Sequence, residues 1–118
     1  MDVVADFLLT LLHGVTNTHL LHWTTKSYAE HKALGEFYEN LQEATDSLAE
    51  AVIGKYDLTP KFPQTYYHPA ENGLDELLSL KDYVGATRTL LPQDSEIQNL
   101  VDEIADLIDG TIFLLRLK

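Results

Sequence analysis

The chain has 118 residues, no cysteine, and 19 Asp and Glu against 8 Lys and Arg, giving a formal net charge of −11. That length fits one domain over 1–118 with a self-supporting core. The composition excludes disulfides, thiolate metal sites and cysteine nucleophiles, disfavours a basic surface for nucleic acid and favours the approach of cations.

Apolar periodicity predicts four helices. Segment A runs from about Asp2 to Lys26, with Leu8, Leu11, Leu12, Val15, His19 and His22 along one stripe. Segment B runs from about Tyr28 to Tyr56, with Leu34, Phe37, Tyr38, Leu41, Ala44, Leu48 and Val52 facing the core. Segment C runs from about Pro69 to Leu91, carrying Leu74, Leu77, Leu78, Tyr83 and Val84. Pro69 suits a first helical turn, and Glu71 beside it suits the positive end of the helix dipole. Pro92 stops segment C, and Asp94 or Ser95 can cap segment D, which runs from about Ser95 to Leu117. Its stripe is Ile97, Leu100, Val101, Ile104, Leu107, Ile108, Leu114 and Leu115.

Connection lengths suggest the topology. The A–B and C–D links are short enough for antiparallel hairpins. The B–C link, from about Asp57 to His68, contains Pro60 and Pro63 and is long for a bundle. Its roughly twelve residues can cover nearly 40 Å at ~3.3 Å each. Short, long, short is the connectivity of an all-α, ferritin-like antiparallel four-helix bundle with one crossover. An up-down-up-down bundle with a loose B–C loop is the alternative.

The candidate chemistry lies on segments A and B. His22 and His31 flank the tight A–B corner, and imidazole is a common iron and zinc ligand. His19, one turn before His22, reads as a core or supporting residue and a weaker ligand. His13 reads as incidental, and His68, within Tyr66-Tyr67-His68-Pro69, as structural. Glu36, Glu39, Glu43, Asp46 and Glu50 form an acidic ridge opposite the apolar stripe of segment B. Such a ridge is ordinarily a solvated face, but Asp46 and Glu50, at i and i+4, are paired carboxylates on one side of the helix. His31 and Asp46 are separated by fifteen residues, roughly 22 Å of helix. One ion, about 2 Å from its ligands, cannot span that within a chain, so a metal site using both halves is shared between subunits. Gly35 lies near the outward face, where close approach of another helix would explain it.

Several alternatives lack their residues. No Glu-x-x-His occurs, which disfavours a di-iron centre inside the bundle. Phosphate-loop, Gly-x-Ser-x-Gly and His-Glu-x-x-His patterns are also missing. No apolar run reaches the ~20 residues of a membrane span, and Met1 to Asp6 lacks the basic start of a signal peptide. A cytoplasm-like location without membrane attachment is expected.

His22-Trp23, a histidine opening the next helix at His31, and Asp46-x-x-x-Glu50 together resemble the Dps mini-ferritins. The resemblance covers roughly Thr16–Tyr56. It implies that His22 and His31 of one subunit and Asp46 and Glu50 of a two-fold-related subunit bind iron, as a single or di-iron site in which zinc can substitute. It implies ferroxidase activity, with Trp23 as the neighbouring aromatic, and a homo-oligomer that is at least a two-fold dimer and at most a closed shell. The family usually carries an Asp where this chain has Gly35, so Glu36 or Glu39 would have to stand in. The A–B corner is three residues shorter than usual, and the basic DNA-binding tail of some members is missing. The stretch Thr25–Leu34 also resembles an uncharacterised ferritin-like family of tailed-phage proteins. The function of that family is not established. The alternative reading of the chain is a non-catalytic structural or assembly protein that uses the bundle only as a scaffold and, if phage-encoded, lies in the virion or the host cytoplasm.

Overall fold

The computed structural model describes residues 2–118, which form helices joined by turns and a linker and contain no strand. Four helices pack together: α1 (Asp2–Thr24), α2 (Tyr28–Tyr56), α3 (Gly73–Thr87) and α4 (Ser95–Leu115). A short 3₁₀ turn, Arg88–Leu90, follows α3.

One apolar cluster joins all four. Phe7 and Leu11 of α1, Leu34, Phe37, Leu41 and Leu48 of α2, Leu77 of α3, and Ile97, Ile104 and Ile108 of α4 are among its fully buried members. Burying each such side chain contributes about 1.5–3 kcal/mol. The sequence stripes hold with two exceptions: Leu12 is 40% exposed and Leu114 is 45% exposed. Small and polar residues replace apolar ones along the inner face of α1, where Gly14, Asn17 and Thr18 are buried. Thr18 satisfies its hydroxyl within the helix by donating to the carbonyl of Gly14.

Local signals set the helix ends. Ser27 caps α2 by accepting the Glu30 N–H. Asp57 ends it in the left-handed region at φ 52°, which Asp tolerates better than most residues, and its N–H closes onto the Ile53 carbonyl. Segment C begins later than the Pro69 signal suggests. Asn72 caps α3 by accepting the Asp75 N–H, and Pro69 and Glu71 lie in the preceding linker. Asp94 holds the cap position of α4 but makes no capping bond. Its carboxylate accepts from the Tyr56 hydroxyl and meets Lys55 at 3.5 Å, which joins the end of α2 to the start of α4.

The helices α1 and α4 each lie against both α2 and α3, so α1 faces α4, and α2 faces α3, across diagonals. The linker over 57–72 runs between distant points. It leaves α2 beside Asp94 and passes mid-α1, where Asn17 donates to the Tyr67 carbonyl (2.9 Å) and accepts from the Tyr66 hydroxyl (2.9 Å). It enters α3 at Gly73, whose N–H donates to Glu30 at the start of α2 (2.9 Å). The 29 residues of α2, roughly 43 Å of helix, match the 44 Å long dimension of the molecule.

Candidate metal site

The corner between α1 and α2 is three residues long, Thr25 to Ser27, and it folds the last turn of one helix onto the first turn of the next. His22 and His31 meet there. The Nδ1–H of His22 donates to the His31 carbonyl (2.6 Å), and the Nδ1–H of His31 donates to the His22 carbonyl (2.7 Å). A carbonyl oxygen only accepts, so both Nδ1 atoms carry hydrogen, and in the neutral rings the lone pair is on Nε2. The rings stack with centroids 3.7 Å apart and planes 14° from parallel. Ligating histidines are commonly fixed this way, with the second ring nitrogen donating to a backbone carbonyl.

Gly35 lies one turn after His31 and makes room for this packing. A Cβ at 35 would lie 2.9 Å from Cε1 and 3.2 Å from Nδ1 of His22. Close approach does explain this glycine, but the approaching group is an imidazole of the same chain.

The pair sits in a wider group of rings. His19 stacks on Tyr38 with centroids 4.0 Å apart and planes 14° from parallel. Trp23, 65% exposed, lies 4.6 Å from His19, and Tyr38 meets His22 edge-on at 5.5 Å. Tyr38 is therefore part of this surface as well as of the helix stripe, a role that periodicity does not reveal.

The carboxylates lie elsewhere. Asp46 and Glu50 are exposed farther along α2, and Asp46 borders a surface groove with Glu43, Ser47 and Glu103. Glu36 and Glu39 are exposed too, with Glu36 on a second groove beside Gly110 and Phe113. None of the four joins an ion pair among the described residues. The fold thus brings His22 and His31 together and leaves Asp46 and Glu50 apart from them. Among the described residues, no three of His, Cys, Asp and Glu gather as they would around one ion.

Glu30 holds this corner to the rest of the bundle, and the sequence reading missed it. Its carboxylate accepts the Thr25 hydroxyl (2.6 Å) on one oxygen and the Gly73 N–H on the other. The signal is Ser27-x-x-Glu30, the spacing of a capping box. Ser27 plays its part, while Glu30 turns instead to the start of α3. His13 and His68 are also placed by the fold: both border a cavity between α1, α3 and the linker.

These features describe an all-helical bundle protein with an ordered imidazole pair at one corner. The chain belongs to a family of unknown function, DUF5856, whose family model matches residues 22–115. The matched stretch includes His22, His31, Asp46 and Glu50. No curated protein and no solved structure matches the chain. No helix among the described residues is long and apolar enough to cross a membrane.

Proposed function

We propose that this chain is a ferritin-like, Dps-like iron-binding protein whose metal site is completed between two subunits. His22 and His31 of one subunit supply two imidazole nitrogens, and Asp46 and Glu50 of a second supply carboxylate oxygens. This mixed donor set suits iron, with zinc able to substitute. Fe²⁺ is the substrate, oxidised to Fe³⁺ by peroxide or dioxygen, and a closed shell of subunits would retain the product. The acidic surface draws cations toward the site.

The observation that carries this reading is the reciprocal Nδ1–carbonyl pairing, which fixes both rings and leaves both Nε2 atoms free to ligate. The return of the linker from the end of α2 to Glu30 supports ferritin-like connectivity. Antiparallel packing of α2 on a second α2 would bring the histidine end of one helix to the carboxylate middle of the other. The acidic ridges would repel each other there, so a bound cation strengthens the pairing.

The test uses His31→Ala and Asp46→Ala, which lie far apart in one chain. Each should lower Fe²⁺ affinity. Mixing them in equal amounts should restore about a quarter of the sites, because random pairing makes half the dimers mixed and gives each of those one intact site. Binding should weaken in acid, since protonated imidazole has no lone pair to offer. Unchanged affinity in both single variants would remove the metal reading.

The second reading is a non-catalytic structural or assembly protein. The ring cluster favours it, because His22, His31, His19, Tyr38 and Trp23 also staple α1 to α2. Oligomeric mass together with iron stoichiometry separates the two: a monomer that binds no iron is the scaffold.

A further inference from the structure

A cavity of about 320 Å³ lies between α1, α3 and the linker, away from the His22–His31 corner. Its size is at the lower end of small-molecule sites. Two of its polar groups have unmet capacity. Glu76 is only 9% exposed, and the one hydrogen bond to its carboxylate among the described residues is from the Ala70 N–H to Oε1 (2.9 Å). The Nδ1 of His13 is buried and meets no partner among the described residues.

Two other polar walls are already engaged. Asn17 spends both ends of its amide on Tyr66 and Tyr67, and the Tyr83 hydroxyl donates to Asp6 (2.9 Å). No Lys or Arg lines the cavity. A nearly buried carboxylate that joins no ion pair among the described residues is costly, and it selects against anions. The aromatic residues His13, Tyr67 and Tyr83 and the apolar Leu80 contribute to the remaining wall. Aromatic faces attract organic cations. A hard metal ion would need several more oxygen donors than Glu76 alone provides.

We propose that this cavity binds a small organic ammonium ion, with the Glu76 carboxylate accepting its N–H groups and an apolar body packed against Leu80, Tyr67 and Tyr83. The inference does not depend on the histidine pair or on iron.

The experiment titrates ¹⁵N-labelled full-length protein with phenethylamine and, separately, with the uncharged 2-phenylethanol. Phenethylamine should shift the amide signals of Thr10, His13, Glu76 and Ser79 and bind at least tenfold more tightly than the alcohol. Glu76→Gln keeps an acceptor for the Ala70 N–H and should weaken amine binding at least tenfold with the thermal midpoint unchanged or raised. Ser79 is exposed at the cavity rim, so Ser79→Phe should fold and block entry even if the first variant does not fold. Equal binding of amine and alcohol, shifts confined to the acidic outer surface, or wild-type affinity in either folded variant would overturn the proposal.

Discussion

Gly35 leaves the space that the His22 imidazole occupies: a Cβ at position 35 would come within 2.9 Å of the ring. The ring has little freedom to retreat, because its Nδ1–H is held by the His31 carbonyl. Gly35→Ala should therefore break the reciprocal pairing. Global stability should fall by about 0–2 kcal/mol, since the two hydrogen bonds lost are worth about 0.5–1.5 kcal/mol each and a mid-helix Gly-to-Ala gain of about 1 kcal/mol offsets part of that. Long-range ¹H–¹⁵N spectra of the imidazoles should lose the paired Nδ1–H pattern, and metal affinity should fall about 10–100-fold. Gly35→Asp should do the same, although Asp is the residue that the resemblance to Dps leads one to expect there. Unaltered imidazole spectra in Gly35→Ala would refute the packing argument.

Gly73 is held as tightly. A Cβ there would sit 2.6 Å from Glu30 Oε1 and 3.1 Å from both Leu34 methyls. Gly73→Ala should destabilise the protein by about 1–3 kcal/mol, read as a lower urea midpoint. Glu30→Ala should cost a similar amount, because it strands the Gly73 N–H and the Thr25 hydroxyl. Glu30→Gln, which keeps an acceptor, should cost less. A midpoint that does not move in Gly73→Ala would show that this junction yields easily.

The contact between Tyr56 and Asp94 makes stability depend on pH. The Tyr56 hydroxyl bond is the main cause holding the Asp94 carboxyl below the usual carboxylate range, with Lys55 contributing. The same bond, first among its causes, pushes the Tyr56 phenol up. A depressed carboxyl contributes stability above its unfolded pKa, about 3.9, and loses it as pH falls through the lower folded value. A raised phenol contributes stability below its unfolded pKa, about 10, and loses it as pH rises through the higher folded value. Tyr56→Phe should thus be less stable than wild type between about pH 5 and 9. The difference should close toward both extremes in denaturant titrations run across that range. A difference independent of pH would mean that packing, not the hydrogen bond, sets it.

The protein should not bind nucleic acid directly. With 19 acidic against 8 basic side chains, phosphate repulsion should dominate. No mobility shift is expected with duplex DNA at low salt, and a salt-sensitive shift would contradict this.

The sequence by itself determined the four helices, because apolar periodicity is a local property that burial then follows. The limits read for segment B, about Tyr28 and Tyr56, are those of α2. The start of α3 was not readable, since Pro69 and Asn72 both carry start signals and only the path of the linker chooses between them. The candidate ligands His22 and His31 were visible as residues flanking a corner. Which ring nitrogen each leaves free was decided only by the tertiary structure, because it depends on a carbonyl nine residues away in sequence. The roles of Gly35, Glu30, Glu76 and His13 were likewise hidden. Each is set by an atom from another element (an imidazole, an amide at the start of α3, or a cavity wall), and such meetings are fixed by how helices pack rather than by any pattern along one of them.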